Sequence, residues 1–102
     1  MTEVILFTQE TCRACTTQRE KNEGIEDVCP DVDFRDVDIQ TDLETAEEYG
    51  VRKTPTTLVY ANGEQTAGFI GIVDRDDLEV AIENADQQSP GLAHRLTSII
   101  RS

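Results

Sequence analysis

Val4-Ile5-Leu6-Phe7 is a continuous apolar run that gives way to the polar stretch Thr8-Gln9-Glu10-Thr11. A short run with a β-branched start predicts a buried central strand leading into a loop. Thr11 is placed to cap a helix beginning at Cys12. That helix is expected to reach Gly24 or Val28, and Pro30 stops it. Between Cys15 and Ile25 the segment Thr16-Thr17-Gln18-Arg19-Glu20-Lys21-Asn22-Glu23-Gly24 has no aliphatic stripe at helical spacing, so a short or loosely packed helix is expected. From Asp31 to Ile39, Val32, Phe34, Val37 and Ile39 alternate with acids, slipping phase once near Arg35-Asp36, which predicts a second strand. Thr41 or Asp42 caps a helix running to Tyr49, where Gly50 terminates it. Thr56 to Ala61 reads as a strand, Asn62-Gly63 as a two-residue hairpin turn, and Gln65 to Ile72 as the returning strand. Asp74 then caps a helix carrying Leu78, Val80, Ala81, Ile82 and Ala85.

The predicted order is βαβαββα, an α/β core. Its first three elements form a parallel βαβ unit, and the hairpin supplies an antiparallel edge. Residues 1 to 86 form this domain; Gln87-Gln88-Ser89-Pro90-Gly91 reads as a linker. Leu92, Leu96, Ile99 and Ile100 share one face of an appended C-terminal amphipathic helix, so residues 87 to 102 are linker and helix. A chain of 102 residues accommodates one core, and with three Phe, two Tyr and no Trp that core is mostly aliphatic.

Charge changes the picture of partners. Twenty-one acids against nine bases give −12, which disfavours nucleic acid and anionic membranes as partners. No apolar run is long enough to cross a bilayer, and the N-terminus has no basic flank or small-residue cleavage site. The cytoplasm is the expected compartment. The carboxylates are dispersed from Glu3 to Asp86, and only Lys21 and Lys53 are lysines. Such a surface is like those of proteins adapted to concentrated salt, where screening relieves self-repulsion. Residues 89 to 102 contain Arg95 and Arg101 and no acid, so they carry +2 while residues 1 to 88 carry −14. That contrast favours an appended helix that packs on its own domain or makes a dimer or partner contact.

Three cysteines are too few, and odd in number, for a secreted disulfide scaffold. Cys12-Arg13-Ala14-Cys15 opens the first helix directly after the first strand. A lone Cys-x-x-Cys serves equally as half a zinc site, but a helix N-terminus gives the first sulfur unsatisfied N–H groups and the positive end of the macrodipole. Those effects favour thiolate at Cys12. Cys15, one turn on, is close enough to form a disulfide and points inward, and Arg13 adds positive charge beside Cys12. Beyond the pair only Cys29 and His94 offer sulfur or imidazole, with Cys29 roughly 20 Å away at helical rise, so no metal is expected in a monomer, and a dimer sharing two pairs stays open. Cys29 reads as a small apolar residue and His94 as a surface residue of the tail. Thr54-Pro55 precedes the third strand, where a proline's missing N–H is easily spared; a cis peptide there would turn backbone groups toward the cysteines.

Tyr49-Gly50-Val51-Arg52-Lys53-Thr54-Pro55-Thr56-Thr57-Leu58, then Asn62-Gly63-Glu64, then Gly68-Phe69-Ile70-Gly71, resembles the second half of thioredoxins. With the Cys-x-x-Cys, the resemblance covers about residues 3 to 86. It implies a thioredoxin fold lacking the extra N-terminal strand and helix, a cis Pro55, and a Thr54 backbone that pairs with a bound peptide. Substrate contacts are implied at Arg13, Ala14, Thr54, Pro55 and Gly71. The chain departs from the family pattern in several places. Thr11 precedes the cysteines where thioredoxins usually have Trp, and Arg13-Ala14 replace Gly-Pro. Leu6 stands where such proteins bury an aspartate, and Glu20 where a proline is expected. Glutaredoxins usually carry Gly-Gly after the last strand; here Gly71 is followed by Ile72.

The expected function is thiol–disulfide exchange. Thiolate Cys12 attacks a protein disulfide, and Cys15 cleaves the resulting mixed disulfide. No bound cofactor is implied, and an external thioredoxin-reductase-like enzyme restores the dithiol. Two alternatives stay open: a glutaredoxin-like enzyme using a small thiol, and a non-catalytic thioredoxin-fold module that binds partners through its tail or carries metal on Cys12 and Cys15.

Overall fold

The computed structural model describes residues 1–88. The elements are β1 (Thr2–Thr8), α1 (Arg13–Asn22), α2 (Ile25–Val28), β2 (Asp33–Asp38), α3 (Leu43–Glu48), β3 (Thr56–Ala61), β4 (Glu64–Ile70) and α4 (Arg75–Gln88). One four-stranded sheet has the order β2-β1-β3-β4. β1 pairs parallel with β2 and antiparallel with β3, and β3 pairs antiparallel with β4. The predicted mixed sheet is therefore found, and the order of elements departs from βαβαββα only in the extra short helix α2. The appended amphipathic helix, His94 and the linker from Ser89 onward lie outside the described residues.

β1 is the inner strand that the apolar run predicts. Val4, Ile5, Leu6 and Phe7 are all buried. Val4 joins Ile25, Val59, Leu78 and Ile82 in a cluster on one face of the sheet. Ile5 and Phe7 join Val37 and Leu58 in a second cluster on the other face, where Tyr49 stacks on Phe7 at 5.6 Å between ring centroids. The phase slip expected in β2 has the same origin. Phe34 packs on the first cluster and Val37 belongs to the second, so this strand also serves both faces.

The helices follow local chemistry. Asp42 caps α3 by accepting the Thr45 N–H, and Gly50 follows that helix with φ 71°. Asn62 and Gly63 both take positive φ, 53° and 86°, the geometry of the tight hairpin turn they predict. β4 stops at Ile70, short of the expected Ile72. There Gly71 turns the chain at φ 93° and its N–H donates to the Pro55 carbonyl at 2.8 Å. α4 buries Leu78, Ala81, Ile82 and Ala85 and leaves Val80 exposed, as a single helical stripe requires. It also runs on through Gln87 and Gln88, two residues that read as linker.

α1 departs most from the expectation. It spans Arg13–Asn22, Gly24 interrupts it at φ 82°, and Ile25 opens the separate short α2. Its buried residues are Cys15 and Gln18, three apart and so on one face. Polar tethers replace the missing aliphatic stripe. Gln18 is fully buried, and its side-chain amide meets the Val73 backbone in both directions: Oε1 accepts the N–H at 2.8 Å and Nε2 donates to the carbonyl at 3.1 Å. Nε2 also donates to Asn22 Oδ1 at 3.0 Å. Arg19 donates to Thr8 Oγ1 at 3.0 Å, and Lys21 pairs with Asp74 at 3.2 Å. The exposed ion pair is worth little in water, whereas the buried amide is expensive to remove. Gln18→Ala leaves both Val73 backbone groups buried without partners. It is expected to lower stability by about 2–4 kcal/mol, measured as a shift of the denaturant midpoint at unchanged slope.

Candidate active site

The carboxyl end of β1 and the amino end of α1 converge at Cys12. The cap of α1 is Cys12 itself rather than Thr11, and the helix begins at Arg13. Cys12 holds extended backbone (φ −121°, ψ 102°), and its Sγ accepts the Cys15 N–H at 3.1 Å. Sulfur thus takes the place of the oxygen that usually caps a helix, and one of the helix's orphan donors points at the sulfur. This arrangement favours negative charge on Cys12 when the pair is reduced.

Cys12 and Cys15 form a disulfide, with Cα atoms 5.2 Å apart. Their surroundings differ. Cys12 is half-buried, whereas Cys15 is fully buried on the face of α1 that Gln18 pins to Val73. The Thr54–Pro55 peptide is cis, and Thr54 Oγ1 lies 3.5 Å from Cys12 Sγ. Thr56 Oγ1 donates to the Lys53 carbonyl at 2.7 Å, and Gly71 N–H holds the Pro55 carbonyl. The fold therefore gathers Cys12, Cys15 and Thr54 directly, with Pro55 and Gly71 linked to them through backbone. Arg13 is exposed and Ala14 half-buried between the cysteines.

Cys29 lies elsewhere, packed against the cluster that includes Ile25 and Leu78. Burial raises its pKa, and the carboxylates of Glu79, Asp86 and Glu83 add to the rise against the lowering effect of Arg75. Burial likewise raises Tyr60, with Tyr49 and Glu3 contributing. The buried polar side chains among the described residues are Thr2, Thr8, Gln18, Thr56 and Thr57, all neutral. Leu6, where thioredoxins bury an aspartate, sits directly across from Thr57 and is itself buried.

Two features of the site emerge only with the fold. Gln18 is one: a polar residue three positions after Cys15 was the available signal, but its partner is 55 residues away. The other is a groove of about 440 Å³ lined by Tyr49, Val51, Arg52, Lys53, Leu58 and Ile70 among others, which meets the site through the chain, with Lys53 and Thr56 on either side of Thr54-Pro55.

The thioredoxin family profile matches residues 2–84. The chain belongs to the thioredoxin family. Among curated relatives, it is 29% identical over 75 residues to a thioredoxin of Chlamydia trachomatis, covering 74% of each chain. It is 30% identical over 81 residues, 78% of its own length, to NADPH-dependent thioredoxin reductase 3 of Arabidopsis thaliana, and spans only 15% of that protein. It spans 20% of the chloroplastic Thioredoxin M4 of the same plant, at 44% identity over 39 residues, 38% of this chain. Among solved structures, a mutant thioredoxin of Halobacterium salinarum matches at TM-score 0.76 and 27% identity, covering 82% of this chain and 74% of that one. The thioredoxin of Fasciola hepatica matches at 0.75 and 26%, covering 82% and 80%.

The raised pKa of Cys29 has a measurable consequence. A raised value means less thiolate at any given pH, so alkylation of the oxidised protein, in which Cys12 and Cys15 are protected, is expected to be slow near neutrality. The labelling rate should climb to a midpoint above the ordinary value of 9.0 when followed by mass spectrometry across pH. A midpoint below that value would contradict the burial and carboxylate environment assigned here.

Proposed function

We propose that this protein is a dithiol–disulfide oxidoreductase that reduces protein disulfides, with Cys12 as nucleophile and Cys15 as resolving thiol. The carrying observation is the asymmetry of the pair. One sulfur caps a helix and is half open to solvent, and its partner one turn on is sealed. Attack by Cys12 on a substrate disulfide forms a mixed disulfide and releases one substrate thiolate. Cys15 then attacks Cys12 Sγ, releasing the second substrate thiolate and leaving the Cys12–Cys15 disulfide. An external thioredoxin-reductase-like protein returns two electrons and two protons to the pair. Arg13, Ala14, Thr54 and Gly71 offer the surface against which the substrate segment lies, and Pro55, its ring buried, adjoins that surface through backbone; the contact of Thr54 with Cys12 and the Gly71–Pro55 bond support that reading.

The working environment is proposed to be a cytoplasm at high salt. The support is compositional: carboxylates outnumber basic groups by 21 to nine, and only two of the nine are lysines. On that reading the thermal midpoint rises steadily with sodium chloride into the molar range, as screening relieves the repulsion among carboxylates. A midpoint unmoved by salt would remove the halophilic element and leave the redox proposal intact.

Dithiothreitol-coupled reduction of a protein disulfide in molar salt tests the mechanism. The wild type should accelerate reduction. Cys12→Ser should fall to the uncatalysed rate, and Cys15→Ser should accumulate mixed disulfide with substrate, detectable as a mass adduct. A folded wild type no faster than background would overturn the proposal.

A further inference from the structure

The cations of this acidic chain are unevenly engaged. Among the described residues, Arg19, Lys21 and Arg75 are held in ion pairs with Asp36, Asp74 and Glu79. Arg13, Arg35, Arg52 and Lys53 have no such partner and are exposed. Three of those four flank the exchange site in the chain: Arg13 follows Cys12, and Arg52-Lys53 precede Thr54, whose hydroxyl lies 3.5 Å from Cys12 Sγ. Within two residues of Cys12, Cys15, Thr54 or Pro55 the one carboxylate is Glu10. A body that carries −14 over residues 1 to 88 thus has three exposed, unpaired cations next in the chain to the residues of its exchange site.

Arg52 and Lys53 also border the groove of about 440 Å³, whose apolar lining includes Tyr49, Val51, Leu58 and Ile70. Ile70 is 77% exposed, an apolar residue left uncovered among the described residues. The loop that carries both cations runs on from this groove into Thr54 and Pro55. A peptide segment reaching Cys12 across Thr54 therefore meets Lys53 and Arg52 next, and then the groove.

We propose that this face selects acidic partner segments: a chain whose disulfide is flanked by carboxylates, with an aliphatic side chain placed to enter the groove. The inference rests on the exchange reading above and narrows its substrate class. At about 1 M salt the Debye length is near 3 Å, so repulsion from the distant carboxylates of the body is screened while contact pairs at Arg52 and Lys53 persist. Rim charges of this kind act on encounter and specificity more than on total affinity, so a modest and charge-selective effect is expected.

The test uses two synthetic peptides of equal length, each with one central serine in place of cysteine and one leucine. One peptide carries three glutamates and the other three lysines. Titrated into the isotope-labelled, oxidised protein at about 1 M salt, the glutamate peptide is expected to shift the amides of Val51, Arg52, Lys53 and Thr54. It should saturate at roughly five-fold lower concentration than the lysine peptide. Arg52→Gln with Lys53→Gln should abolish that preference, and Arg35→Gln, the unpaired cation on β2, should preserve it. Absence of a preference, shifts confined to another face, or an equal loss in Arg35→Gln overturns the proposal. The same peptides built as disulfides, in the coupled reduction assay, separate the two claims. Charge-selective binding with reduction at background supports the surface and sinks the exchange reading. Rapid reduction without charge-selective binding does the reverse.

Discussion

Everything at the site is placed from β1. Its backbone is hydrogen-bonded to β2 on one side and β3 on the other, and its four central side chains are buried, packed on both faces of the sheet. A strand so enclosed has one register available, because a slip of one residue would exchange the residues of the two clusters. That register determines where the chain leaves the sheet and begins α1. Since β3 runs antiparallel to β1, its amino end and the Thr54–Pro55 turn before it come to the same edge of the sheet as Cys12. The approach of Thr54 to the Cys12 sulfur is therefore a consequence of strand pairing between segments 42 residues apart in sequence.

From β1 onward the chain relies on polar rather than apolar contacts to hold its reactive helix. An aliphatic stripe would bury α1 non-directionally, with some freedom to rotate or slide. A carboxamide that both donates to and accepts from one backbone residue is directional, and it tolerates little displacement before a buried group goes unpartnered. Because Gln18 lies three residues after Cys15, the bond to Val73 also sets the rotation that keeps Cys15 inward. The asymmetry of the two sulfurs is then an outcome of helix rotation as much as of chain position.

Strands and the hairpin were legible because their signals are local. The run Val4–Phe7, the Thr56–Ala61 strand and the Asn62-Gly63 turn each carry their information within a few residues. The cysteine pair, Thr54, Pro55 and Gly71 were legible as a group through resemblance, and the fold brings them together. What escaped the sequence was relational. Thr11 is the ordinary capping type, and nothing local indicates that a sulfur one residue later caps instead. The break at Gly24 was readable as an end but not as a hinge to a second short helix. The partner of Gln18 belongs to a loop joined only through the folded core, and two of the ion pairs, Arg19 with Asp36 and Lys21 with Asp74, join segments far apart in sequence. The slip in β2 was an artefact of expecting one buried face where there are two.

The interior around the resolving cysteine sets a chemical condition that resemblance alone would misstate. Thioredoxins bury an aspartate at the position of Leu6, where it can hold a proton for the inner sulfur. Here the buried polar side chains among the described residues are all neutral, and the neighbour across from Leu6 is Thr57, whose buried hydroxyl has no hydrogen-bond partner. A hydroxyl can pass a proton along but does not store one as a carboxylate does. On the exchange proposed above, the second step depends on proton transfer to water or to the departing substrate sulfur. An interior without a carboxylate also avoids adding a buried negative charge to a body already at −14.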